Sequence, residues 1–476
     1  MVRKGIPMRK NSWLLVAPVS VLLVFLFLKA ADAMCAMPLD LPAERLVANL
    51  EAIIKDHPKD AGGYARLARV QATLFLDRIT TLHEWDLRAN AMFAPQPGKD
   101  VTDDDAQKYG LEAAKNFAKA IELDPKNGMY HLNVAYFLEH GADQAATAPY
   151  GLVERKPTAA EAADFERLIK FLASDDEKAR KEAHDQLVAF GNEGKTVKAL
   201  VAHLKDANPK IATAVQKLLG NLWKEQAIVY YWKAYELTID ADIKEDTGTF
   251  GGSRPISTEA AAAYEGMVGA RTAGDAEKKN LATIKDKRDE LAKAQAAKMN
   301  GPNGGPMMVR STSPIIFSLD AAKPLHQLLA ANKMVPFDLD GDDVVELRAW
   351  VKGDTAILVW DPAGTGKIAS GRQLFGNVTW WIFWDNGYQA MDALDDNRDG
   401  QLTGAELTGL CVWRDANQNG ISDPGEVEPV VNVGIDSISV RASSTEDGCP
   451  ANSHGLHLAS GKTLPTYDWY APGVKP

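Results

Sequence analysis

The chain has 476 residues, 46% of them apolar and 25% charged, which excludes an intrinsically disordered polymer and supports more than one packed core. Its formal net charge of −11 argues against a nucleic-acid binder, which needs a basic face to displace counterions from phosphates. An acidic surface suits cations and basic partners instead.

The N-terminus carries Arg3, Lys4, Arg9 and Lys10, then the apolar run WLLVAPVSVLLVFLFL from Trp13 to Leu28, then Ala31-Asp32-Ala33. A basic segment, an apolar run and a small-x-small site together predict a signal peptide over residues 1–33. The alternative is an uncleaved membrane anchor over residues 13–33, because the run approaches spanning length. Either reading delivers the remainder across a membrane, to the periplasm, the cell surface or the exterior. Contact with the membrane is expected only if the segment is retained. Export also permits a disulfide between Cys411 and Cys449, with two buried thiols as the alternative.

Residues 40–300 are rich in Ala, Leu, Lys and Glu, with apolar residues at helical spacing. In AAKNFAKAIELDPKN, Ala113 and Ala120 admit a neighbouring helix, Phe117 fills the groove, and Pro125 ends the helix. Leu46, Leu50, Ile53 and Pro58 repeat that spacing, and Ala227, Tyr231 and Ala234 repeat it without the proline. These segments resemble the second helix of tetratricopeptide repeats. Ala179, Ala183 and Leu187, echoed 32 residues later by Ile211, Val215 and Leu219, resemble HEAT-type helices. The resulting expectation is tetratricopeptide-like helices over 40–160, a HEAT-like insert over 160–222, and a further tetratricopeptide-like helix with a charged connecting helix over 223–299. An irregular helical bundle is the alternative. The resemblance implies a concave surface that binds a protein or peptide.

A Gly/Pro linker is expected over 300–314, after which the pattern changes. IIFSL, VVELRAWV, TAILVWD and NVGIDSISVRAS read as short strands. TWWIFWDNGYQAMDAL reads as a helix with Trp380, Trp384 and Tyr388 on one core-facing side. The expected fold is therefore multidomain: an all-α helical-repeat N-terminal region, then a small α+β calcium-binding domain over 315–476.

Two twelve-residue stretches carry the chemistry. DDNRDGQLTGAE and DANQNGISDPGE place oxygen donors at positions 1, 3, 5, 7, 9 and 12 and glycine at 6. That spacing is what an EF-hand-type loop needs to wrap a large hard cation in oxygens, and it implies Ca2+. In the first loop the ligands are Asp395, Asn397, Asp399, the Gln401 carbonyl, Thr403 and Glu406, with Gly400 at the turn. In the second they are Asp415, Asn417, Asn419, the Ile421 carbonyl, Asp423 and Glu426, with Gly420 at the turn. The first has three ionised direct ligands and is expected to bind more tightly. Only LTGLCVWR separates the two, so that stretch is expected to be a short helix shared by both loops, and calcium to be a structural staple rather than a switch.

With FDLDGD, RQLFG and GIDSIS, these loops make residues 335–440 resemble the C-terminal calcium module of large secreted bacterial calcium-binding proteins, including haemolysin-type ones. The resemblance implies two further loops. Asp338, Asp340, Asp342, the Val344 carbonyl and Glu346 form a weaker candidate, with Asp343 where glycine is expected and Ala349 at position 12. DPAGTGKIASGRQ keeps Asp361 and Gly366 but has Ala363, Thr365 and Gln373 at ligand positions, so it is expected to have lost calcium.

No phosphate-loop or zinc-protease spacing is present, and no catalytic residues are assigned. The leading expectation is an exported calcium-binding protein with a helical scaffold. The rival is a secreted calcium-dependent hydrolase with unrecognised catalytic carboxylates. The charged connector and the linker argue against strong coupling between calcium and the helical half.

Overall fold

The computed structural model describes residues 38–78, 81–83, 101–145, 157–192, 197–245, 249–250, 254–300, 308–342 and 344–474. The expected signal peptide or anchor, Cys35 and Asp343 lie outside them. Among the described residues no helix is long and apolar enough to cross a membrane.

The N-terminal half is helical. Helices α1 (Ala43–Asp56), α2 (Ala61–Asp77), α3 (Asp103–Leu123) and α4 (Gly128–Gly141) follow one another as antiparallel neighbours. Thr102 caps α3 by accepting from the Asp105 N–H, and Asn127 caps α4 by accepting from the Met129 N–H. Phe75, Phe117, Phe137 and Trp223 meet at centroid separations of 5.4 to 6.1 Å. Glycine is needed at 141 for this cluster, since a Cβ there would lie 2.8 Å from both Phe75 and Trp223.

Helices α5 (Ala159–Phe171), α6 (Glu177–Asn192) and α7 (Val197–Ala202) lead into α8 (Pro209–Glu245). At 37 residues, α8 runs through residue 222, where a change of repeat type is expected from the sequence. No breaker interrupts it there, so one helix carries both the HEAT-like Val215 and Leu219 and the tetratricopeptide-like Ala227 and Tyr231. Helices α9 (Ile256–Gly269) and α10 (Asp275–Asn300) close the region. Ile284 and Leu291, seven residues apart on α10, are buried.

Two small ribbons belong to this half, β1 (Pro38–Pro42) with β2 (Thr81–His83) and β3 (Thr249–Phe250) with β4 (Arg254–Pro255). The C-terminal half is β-rich. Its strands are β5 (Met308–Thr312), β6 (Ile315–Phe317), β7 (Leu329–Phe337), β8 (Glu346–Val351), β9 (Ala356–Trp360), β10 (Gln401–Thr403), β11 (Leu410–Trp413), β12 (Val427–Pro429), β13 (Ile435–Ser439), β14 (Ser444–Glu446), β15 (Cys449–Leu458), β16 (Thr463–Asp468) and β17 (Ala471–Val474). Among the described residues they form a nine-stranded sheet, in order β10-β13-β15-β16-β6-β9-β11-β12 with β14 on β15, and a four-stranded sheet β5-β17-β8-β7.

Two local expectations are corrected, and one alternative left open by the sequence is decided. Residues 379–394 do not form one helix: a 3-10 turn at Thr379–Trp381 is followed by a separate helix at Gly387–Asp392. Trp380, Trp381 and Phe383 have φ of 55°, 61° and 62°, incompatible with a continuous right-handed helix. The aromatics are nonetheless core, with Trp380, Trp384 and Tyr388 all buried. LTGLCVWR is not a shared helix either; Gly404–Leu407 make a 3-10 turn, Gly409 turns the chain at φ 87°, and the rest is β11. Finally, Cys411 and Cys449 are both free and buried, and burial together with Asp361 pushes the Cys411 thiol up to about 12.

Candidate metal centre

Four loops of the β-rich domain, beginning at Asp338, Asp361, Asp395 and Asp415, share one backbone framework. In each, the first aspartate's Oδ1 accepts from the position-5 N–H, at 3.0 Å from Asp342, 2.9 Å from Thr365, 3.2 Å from Asp399 and 3.1 Å from Asn419. The position-7 N–H in turn donates to the position-5 side chain, from Val344, Lys367, Gln401 and Ile421 at 2.8, 3.2, 2.8 and 2.7 Å. Position 4 is left-handed in all four: Gly341 (φ 71°), Gly364 (63°), Arg398 (60°) and Gln418 (57°). At position 6, Gly366, Gly400 and Gly420 are left-handed too, and each N–H donates to Oδ2 of its first aspartate at 2.7 or 2.8 Å. These turns wind each loop into a tight coil around its first aspartate.

The two loops with a terminal glutamate close identically. Glu406 Oε1 accepts from the position-2 N–H of Asp396 at 2.8 Å, and Oε2 from the position-9 N–H of Thr403 at 2.9 Å. Glu426 does the same with Ala416 and Asp423, at 2.9 and 3.0 Å. The carboxylate thus ties the start of the loop to its end. Burial raises the Asp395 carboxyl above its usual range, against the pull of the Gly400 N–H.

Although tandem in sequence, these loops flank strands at opposite edges of the nine-stranded sheet. Loop 395–406 runs into β10 at one edge, and loop 415–426 joins β11 to β12 at the other. Loop 415–426 instead adjoins loop 361–373: the N–H of Ile368, eighth in its loop, donates to Oγ of Ser422, eighth in the other, at 2.8 Å. It is further braced by Trp350, whose Nε1 donates to Asp415 Oδ2 at 2.7 Å, and by Gln418, which donates to the Val351 carbonyl at 3.0 Å. Within it, Asp423 accepts from the amides of Asn417 and Asn419 at 2.7 and 3.0 Å.

Loop 361–373 satisfies its own ligand positions. Gln373 Oε1 accepts from the position-9 N–H of Ala369 at 2.7 Å, as the glutamates do in the other loops. Its Nε2 donates to the position-7 carbonyl of Lys367 at 3.1 Å, so the amide engages an oxygen that a cation would use. Gln373→Glu, at a buried position, would bring an anion against that carbonyl. The expected loss is about 1–3 kcal/mol of stability in chemical denaturation without metal. Millimolar calcium should recover part of it by meeting a carboxylate at the residue that closes this loop. An unchanged midpoint would show that the Gln373–Lys367 bond carries no weight.

Loop 338, the weaker candidate from the sequence, holds a cluster of aspartates. Asp338, Asp340 and Asp342 offer carboxylate oxygens all within 4.8 Å of one another. Arg348 lies under them, its Nη2 donating to Asp340 Oδ2 and Glu346 Oε2, each at 2.9 Å, with all three side chains fully buried. Arg372 donates to the Gly341 carbonyl and stacks on Trp381 at 4.1 Å. Burial, then the neighbouring Asp342, pushes the Asp340 carboxyl up to about 8 despite Arg348. Asp340 Oδ1 is buried and accepts no hydrogen bond. The sequence reading missed Arg348, although its place two residues after Glu346 on β8 puts both on one side of the strand.

Residues 316–463 match the SPM domain family. The iron-regulated protein FrpA of Neisseria meningitidis serogroup C is 35% identical to this chain over 109 residues, or 22% of this chain and 10% of that protein. The chain therefore spans about a tenth of the length of this curated relative.

Proposed function

We propose that this is an exported calcium-binding protein whose β-rich domain is built around EF-hand-type loops and whose helical half presents a protein- or peptide-binding surface. The observation that carries the calcium reading is the backbone bonding shared by loops 395–406 and 415–426, including the glutamate that accepts from positions 2 and 9. The donor set is all oxygen, from carboxylates, amides and backbone carbonyls, which suits a hard cation that takes six to eight such ligands. Bound calcium would neutralise the inward carboxylates and fix the loop ends. Loop 395–406 is the tighter site, since in loop 415–426 the Asn417 and Asn419 amides already engage Asp423. Loop 361–373 closes without metal, and loop 338 holds a cation against its three aspartates more weakly, because Arg348 already supplies positive charge.

The N-terminal sequence pattern supports export. For the helical half, a cleft of about 930 Å³ between α6, α8 and α9 is floored by Val188, Ile228 and Met267. Its acids have structural partners: Glu139 accepts from the Tyr231 hydroxyl at 2.5 Å, and Glu225 pairs with Arg271 at 2.8 Å. That favours binding over hydrolysis.

Calorimetric calcium titration of the full chain tests the metal reading. Wild type is expected to bind at two principal sites. Glu406→Gln and Glu426→Gln should each weaken a different one by at least about tenfold. Trp413, whose Nε1 lies 3.5 Å from Glu426 Oε2, should report the second site by fluorescence. Absence of binding by wild type at millimolar calcium would sink the reading.

A further inference from the structure

The helical half grips the entrance of loop 395–406 directly. From α1, Arg45 Nη2 donates to the Leu394 carbonyl and Arg45 Nε to Asp396 Oδ1, each at 2.8 Å. One turn on, Asn49 Nδ2 donates to the Ala393 carbonyl at 2.9 Å and to the same Asp396 oxygen at 2.8 Å. Three anchor points flanking the first ligand, Asp395, at Ala393, Leu394 and Asp396, are therefore held from α1. Asp396 is the hinge of the arrangement: its side chain is held by α1, while its backbone N–H donates to Glu406 Oε1. Asn49 and its bond to the Ala393 carbonyl are buried, whereas the Arg45–Asp396 pair lies at the surface. Alongside, Arg69 of α2 donates to the Trp381 carbonyl at 2.8 Å and lies 4.6 Å from the Phe383 ring centre. Loop 415–426 has bracing of a different origin, from Trp350 and Val351 of its own domain.

Resting on the calcium reading above, we propose that docking of α1 and calcium binding at loop 395–406 are one coupled equilibrium. A helix that fixes residues 393–396 lowers the ordering cost of wrapping the ion, as outer partners of metal ligands do. By linkage, calcium must then tighten the docking of the helical half by the same factor. The loop is thus a calcium-dependent clasp between the halves, and any partner held by the helices senses the ion through α1. The covalent linker does not set this coupling, because the contacts bypass it.

Asn49→Ala tests the clasp without changing charge. In the full chain it should weaken calcium binding at loop 395–406 by about fivefold or more, at the lower end of typical coupling, and leave loop 415–426 unchanged. Equal affinity at the first loop, with helix content retained by circular dichroism, would overturn the proposal. Hydrogen exchange supplies a second arm that needs no change in α1. Calcium should slow exchange across Ala43–Asp56 in wild type and in Glu426→Gln, but not in Glu406→Gln. Exchange in α1 that ignores calcium, or slows equally in Glu406→Gln, would also overturn it. A wild-type chain silent to calcium in calorimetry would remove the calcium reading itself, which distinguishes that failure from loss of the coupling alone.

Discussion

Arg348→Ala is expected to cost the β-rich domain about 3–5 kcal/mol, the range for removing one partner of a buried ionic group. Arg348, Asp340 and Glu346 are fully buried, and the Arg348 Nη2 holds one oxygen of each acid at 2.9 Å. Its loss would leave those carboxylates facing Asp338 and Asp342 in a site where Asp340 is already pushed up to about 8. Tryptophan-monitored urea denaturation measures the cost. Millimolar calcium should return part of it to the variant, because a cation at the 338 loop would replace the missing charge. Arg348→Lys should be intermediate, since an ammonium is a compact, strongly hydrated charge without the planar guanidinium fork. A loss below about 1 kcal/mol would mean that the acids are satisfied without the guanidinium.

Removal of calcium has the second large expected effect. An ion that binds only the folded state contributes about 2.7 kcal/mol per site at a hundredfold excess over its Kd. With two principal sites filled, excess chelator should therefore lower the stability of the β-rich domain by about 5 kcal/mol. The Glu406→Gln/Glu426→Gln double variant should melt near the chelated wild type whether calcium is present or not. A wild-type melting curve indifferent to both calcium and chelator would contradict a stapling role.

The two-part architecture was legible in the sequence because the hydrophobic period changes, from helical spacing before residue 300 to short apolar runs after 314. The turns at Gly400 and Gly420 were legible as well, since a left-handed residue is needed where glycine stands. Position 4 was not, because Arg398 and Gln418 occupy the same backbone region without a glycine to mark it. Residues 379–394 misled for a different reason. Trp380, Trp384 and Tyr388 are all buried, so their spacing imitates a helix face, yet Trp384 bonds the Thr379 carbonyl and Tyr388 bonds Thr466. The four-residue strand β11 sits within a run too short for periodicity to separate helix from strand. The grip of α1 on residues 393–396 joins positions 344 to 351 apart, and no local pattern carries such a pairing.

The order of the nine-stranded sheet has a kinetic corollary. Its interior strand β6, at Ile315–Phe317, is flanked by β9 and by β16, at Thr463–Asp468. A ribosome that has made everything up to residue 462 has therefore still to supply one side of β6, and the β10-β13-β15 segment has no hydrogen-bonded route to the rest of the sheet. Completion waits for a long-range pairing, the kind of closure that makes β-rich topologies slow to fold. Until then the sheet is split in two, and the edges of β6 and β15 that face the missing strand stay unpaired, open to pairing with another chain.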